Sequence, residues 1–132
     1  MNPRLAALGP KELEQAGRAI AAIYGGPRAL QLACDICARC GRCATACHVS
    51  LADPKTRFNP AHRAALLRDL YHSGRRPDIE TLRTWVRDFY ECTACRRCAV
   101  FCPLGLDNSV ITRKARGILH NLGLTPCRIT AT

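Results

Sequence analysis

Eight of the ten cysteines fall on one template. Cys37, Cys40, Cys43 and Cys47 are spaced CxxCxxCxxxC, and Cys92, Cys95, Cys98 and Cys102 repeat that spacing, with Pro103 directly after the second set. Three thiolates at two-residue intervals can wrap a short loop around three irons of a cubane. The fourth, three residues further on, has turned onto the start of a helix and points away. In proteins that carry two such clusters, the fourth cysteine binds the other one. The spacing therefore assigns one 4Fe-4S cluster to Cys37, Cys40, Cys43 and Cys102, and a second to Cys92, Cys95, Cys98 and Cys47. Two clusters would then staple the halves of the chain together. Zinc competes for the same residues, but zinc sites are normally two CxxC pairs rather than triplets with a fourth cysteine after three residues. Disulfides compete less well, because closely spaced triplets in a reducing compartment stay reduced. A register shifted to Cys34, Cys37 and Cys40 is open too, although it leaves six residues before Cys47. Cys34 and Cys127 read most simply as small buried hydrophobes.

Other residues near the cysteines have two readings each. His48 follows Cys47 where a proline follows Cys102; it can tune a cluster or pass a proton, or simply be a polar residue at a helix start. Arg39, Arg42, Arg96 and Arg97 lie within the cysteine loops. They either raise cluster potentials, form a docking face for an acidic partner, or point into water. There is no Ser/His/Asp arrangement, no HExxH and no glycine-rich phosphate loop. Nothing offers an organic substrate a catalytic constellation, so no catalytic residue is assigned.

The elements that must position these groups read as helices. The 44 residues between the cysteine groups hold two. The first opens at Asn59 and Pro60, presents Leu66, Leu67, Leu70 and Tyr71, and stops at Gly74. The second is capped by Asp78 and presents Ile79, Leu82, Val86 and Phe89. A third starts near Asp107 or Asn108, carries Val110, Ile111, Ile118 and Leu122 inward, and ends at Gly123; its Arg113, Lys114 and Arg116 read as a solvated basic face. An N-terminal helix from Lys11 to about Tyr24 uses Leu13, Ala16, Ile20 and Ile23 and is ended by Gly25, Gly26 and Pro27. Trp85, Phe89 and Tyr90 read as core. No strand is evident, and the fold class is all-α.

At 132 residues the chain is one ordinary domain. The expected division is an N-terminal helical segment at 1–33, a di-cluster unit at 34–125 and a short tail at 126–132. Of the 48% hydrophobic residues, 19 are alanine and ten cysteine, which leaves a modest core that cross-linking by clusters would help to hold. No apolar run is long enough to span a bilayer or act as a signal peptide, so a cytoplasmic location is expected. The net charge of +10 raises the alternative of an iron-sulfur regulator that binds nucleic acid. Two oxidised clusters at −2 each would lower that charge to 10 − 4 = +6, and no helix-turn-helix or aromatic-interleaved basic patch is evident; nucleic acid is not expected as a partner.

The stretches CARCGRCATACH, DPKTRFNPAHRAALLRDLY and FYECTACRRCAVFCPLGLD resemble the helical ferredoxin region of heterodisulfide reductase-like iron-sulfur proteins of the HdrC, HdrD and DsrK type. The likeness covers about residues 34–124 and includes the histidine after Cys47. It implies an α-helical ferredoxin with two 4Fe-4S clusters. Such a unit relays single electrons within a redox complex of sulfur metabolism, toward a disulfide-reducing partner. The implied partners are a CCG-type reductase subunit and a quinone-linked membrane subunit, which would hold the chain at the inner face of the membrane. HdrD- and DsrK-type members continue into cysteine-rich CCG modules that hold the catalytic cluster, and no such module occurs in these 132 residues. Disulfide chemistry itself is therefore not assigned to them.

Overall fold

A computed structural model describes residues 3–24, 26, 28–55 and 58–126, and among them there are helices and turns but no strand. A 3-10 turn at Leu5–Ala7 precedes α1 (Pro10–Tyr24), α2 (Arg28–Ile36), α3 (Arg42–Ala46), α4 (His48–Ala52), α5 (Pro60–Ser73), α6 (Ile79–Tyr90), α7 (Arg97–Phe101) and α8 (Asn108–Asn121). The all-α expectation is met. Cys127 and the pair Gly25 and Pro27 lie outside the described residues.

The long helices start and stop where the side chains dictate. Asn59 holds an extended backbone while its side chain accepts from the Ala61 amide at 3.0 Å, with Pro60 at the first helical position. Asp78 accepts from the Thr81 amide at 2.7 Å and Asp107 from the Ser109 amide at 2.9 Å. Each such cap satisfies an amide that the helix leaves orphaned, at about 1 kcal/mol. At the other end of α8 the Gly123 amide donates to His120 O and the Leu124 amide to Leu119 O, with Gly123 at φ +72°. That pairing is a Schellman stop, and it tucks Leu124 fully into the core.

α6 packs on α8, α5 on α8 and α6, and α1 across α5 and α8. Leu67, Leu82, Trp85, Phe89, Ile111 and Leu119 fill the centre. The rings of Trp85 and Phe89 meet edge to face at 5.0 Å, confirming their core role. Residue 33, the expected boundary of the di-cluster unit, falls within α2, whose Cys34 is fully buried in the same core. One expectation changes: Arg116 is not a solvated cation. It donates to the carbonyls of Phe89 at 2.6 Å and of Cys92, and covers the Tyr90 ring at 5.1 Å. It therefore ties α8 to the end of α6 and the second cysteine loop, whereas Arg113 and Lys114 are exposed. No helix among the described residues is long and apolar enough to cross a membrane.

Leu82→Ala is expected to destabilise the protein by about 2–5 kcal/mol, because Leu82 is fully buried. Val100→Ala, at 81% exposed, should change stability by under about 0.5 kcal/mol. Anaerobic denaturation midpoints compare the two, and similar losses would contradict the packing described.

Candidate functional site

The two cysteine motifs fold as copies of one another, offset by 55 residues (92 − 37). In each, a helix ends one or two residues before the first cysteine, α2 at Ile36 and α6 at Tyr90. The loop then alternates handedness: Arg39 (φ +54°) and Gly41 (φ +79°) flank Cys40, as Ala94 (φ +55°) and Arg96 (φ +66°) flank Cys95. Each loop then enters a five-residue helix, α3 or α7, that carries the third cysteine. Each short helix stops by switching the fourth cysteine to extended backbone, Cys47 at ψ 113° and Cys102 at ψ 120°. Three of the four left-handed residues are not glycine, at roughly 1–2 kcal/mol each. Such strain persists where the surroundings over-determine the conformation. Here it coils each loop around its own sulfurs.

α3 and α7 pack against each other, and this brings the motifs together crosswise. Cys37, Cys40 and Cys43 border a cavity of about 230 Å³ with Cys102 from the other motif. Cys92, Cys95 and Cys98 border a second with Cys47. Each space thus gathers three cysteines of one motif and the fourth of the other. The second space is tighter, about 20 Å³. His48 reaches across it, Nε2 3.2 Å from Thr93 Oγ1 and Nδ1 3.9 Å from Cys95 Sγ. Among the described residues, no three His, Cys, Asp or Glu side chains converge tightly enough to hold a lone metal ion. A cubane is gripped from wider corners.

The surroundings act on the thiols in opposing directions. Burial pushes the Cys98 thiol up to about 11, and the neighbouring Cys92 and Cys43 push it the same way. Burial likewise raises Cys37 and Cys43, with added repulsion from Cys102 and Cys40 on Cys37. Iron between the sulfurs reverses both effects, since a coordinated thiol loses its proton. Backbone amides offset part of the penalty. The Ala94 amide donates to Cys92 Sγ at 3.3 Å, and the Arg97 amide holds Cys95 below the usual thiol range. The amides of Ala61 and Asn108 act on Cys43 and Cys98, so the N-terminal turns of α5 and α8, with their positive dipole ends, face the two sites.

Three contributors were not singled out in the sequence. Asn108 borders the first cavity and Ser109 the second; both side chains are buried, and their oxygens Oδ1 and Oγ lack a hydrogen-bond partner among the described residues. Arg63, 1% exposed, borders the second. The sequence did carry one signal for Arg63, which precedes Leu66, Leu67 and Leu70 at helical spacing and so occupies a slot of the apolar stripe. The loop arginines behave differently: Arg39 reaches Asp69 at 3.4 Å and Arg96 reaches Asp107 at 2.9 Å, both largely exposed. Cys34 borders neither space; burial pushes its thiol up to about 11, as expected of a small buried hydrophobe.

Residues 33–106 match the family described as a 4Fe-4S dicluster domain, and the chain belongs to that family. It is also similar to the Hdr-like menaquinol oxidoreductase iron-sulfur subunit of Archaeoglobus profundus, 35% identical over 74% of this chain and 20% of the relative. The Hdr-like menaquinol oxidoreductase iron-sulfur subunit 2 of Archaeoglobus fulgidus is 34% identical over the same shares. The chain thus spans about a fifth of the length of the curated relatives it matches. No solved structure matches it significantly.

The loop geometry predicts unequal responses at matched positions. Gly41→Ala should destabilise by about 1–2 kcal/mol through backbone strain alone, since nothing lies within 4 Å of the added carbon. Arg96→Gly should be neutral or stabilising, because relief of the left-handed strain offsets the entropy that glycine adds to the unfolded chain, about 0.4–1 kcal/mol. Anaerobic thermal midpoints read the difference, and a tolerated Gly41→Ala would contradict it.

Proposed function

We propose that this chain binds two 4Fe-4S clusters, one through Cys37, Cys40, Cys43 and Cys102 and the other through Cys92, Cys95, Cys98 and Cys47. It then serves as the electron-transfer element of an Hdr-like redox complex. The observation that carries this reading is the crosswise convergence of eight sulfurs on two spaces. When bound, each cluster takes up or gives up one electron. The protein's own part is to hold the sulfurs, supply amides to them, and bury the inner side of each site against the first turns of α5 and α8.

The names of the relatives support a quinol-linked setting within a multi-subunit complex; on our reading, electrons pass between a quinone-linked membrane partner and a disulfide-reducing, CCG-type partner, as the resemblance implies. The names do not bear on sulfur metabolism, the setting implied by the resemblance. On this reading the chain sits at the inner face of the membrane through its partners. Residues 34–125 form the di-cluster unit, and α1 supports it from α5 and α8.

Anaerobically prepared protein is expected to hold eight irons and eight inorganic sulfides. Cys34→Ser should keep both clusters, while Cys47→Ser or Cys102→Ser should damage one cluster and loosen the fold, because those two residues cross between motifs. The isolated chain should exchange single electrons yet turn over no disulfide. Four irons, bound zinc, or equal iron loss in all three variants would overturn the assignment.

A further inference from the structure

The two sites share a backbone design but not an electrostatic one. Arg63, on α5, is 1% exposed. Its hydrogen bonds go to backbone carbonyls, Nε to Asp88 O at 3.1 Å and Nη2 to Phe58 O at 3.4 Å. The Phe58 carbonyl is also 4.0 Å from Cys47 Sγ. The buried carboxylate nearby, Asp88, is taken by Arg87 at 2.6 Å and His62 at 3.2 Å. Arg63 itself forms no ion pair among the described residues. An uncompensated buried ion is costly, and Arg63 borders the space lined by Cys47, Cys92, Cys95 and Cys98.

The cations of the other site are less buried and already paired: Arg68, whose charge acts on Cys37, is 19% exposed and held by Asp69 at 2.9 Å. Counting from the first residues of α5 and α8, Pro60 and Asn108, the position of Arg63 corresponds to Ile111. The cation bordering the first cavity is Arg39, which is 54% exposed, already paired with Asp69 and so screened by water. Ser109 adds to the contrast, because it also borders the second space and its buried hydroxyl has no hydrogen-bond partner among the described residues. A tetrathiolate 4Fe-4S cluster goes from −2 to −3 on reduction. A buried guanidinium stabilises the more negative state, as opposite charges do for any ionised group.

We infer that Arg63 is a built-in counter-charge that sets the cluster of Cys47, Cys92, Cys95 and Cys98 at a higher reduction potential than that of Cys37, Cys40, Cys43 and Cys102, and so fixes the downhill order of electron movement within the chain. One electron leaves the reduced first cluster, which returns to −2, and the second becomes −3; no bond or proton is transferred. This inference rests on the two-cluster reading above.

The test is a redox titration of the anaerobic, iron-loaded full chain followed by EPR. Wild type should reduce in two waves. Arg63→Met should weaken reduction in the upper wave at least tenfold, about 59 mV for a one-electron couple, and leave the lower wave in place; Arg63→Lys should restore most of it. Full iron content with neither wave moved, or both moved alike, overturns the inference. If Arg63→Met loses iron, single ligand changes decide instead. Cys95→Ser must alter the upper wave and Cys40→Ser the lower, and the reverse assignment overturns the inference. A wild-type protein with four irons and one wave defeats the two-cluster reading itself, a different result from intact clusters with unmoved potentials.

Discussion

One packing arrangement organises this fold: the fourth cysteine of each motif lies beside the sulfurs of the other. Five residues of helix advance only about 7 Å, so α3 and α7 are too short to carry a side chain far. The crossing works because the two short helices lie against each other and each ends in extended backbone at Cys47 or Cys102. A longer helix would carry the sulfur past its target. Without the packing of α3 on α7, each loop would face its own fourth cysteine or solvent.

The long helices follow from that crossing. α5 and α8 start just beyond the motifs and turn their first amides toward Cys43 and Cys98. Their other ends anchor in the Leu67, Trp85, Phe89 and Leu119 core. Thiols that burial and mutual repulsion hold in the neutral form are thus kept beside amides and ready for a cationic metal. Strain at Arg39, Ala94 and Arg96 is tolerated because α2, α6 and the paired short helices fix both ends of each loop.

Repetition of the backbone left side chains free to diverge. Gly41 matches Arg96, Arg39 matches Ala94, His48 matches Pro103, and Arg63 matches Ile111. None of these exchanges alters the cysteine partition, because none carries a sulfur. They change what surrounds it, and one scaffold presents two different environments within a single small chain.

The cysteine spacing, the caps Asn59, Asp78 and Asp107, the stops at Gly74 and Gly123, and the apolar stripes were all legible in the sequence, because each acts over a few residues. Helix α2 falls outside the expected elements because the stop signals Gly25, Gly26 and Pro27 and the motif that opens at Cys34 leave its nine residues split between two stronger local signals. The sequence also left Arg116 on a solvated face, because spacing along α8 cannot show that the carbonyls of Phe89 and Cys92 wait opposite it. For Arg63 and Ser109 the same limit holds. Whether a polar group is buried, and what anion or sulfur it faces, depends on segments tens of residues away that only tertiary packing brings into contact. Local chemistry is written at fixed spacing along the chain, whereas the dielectric and charge around a site are properties of the packed whole.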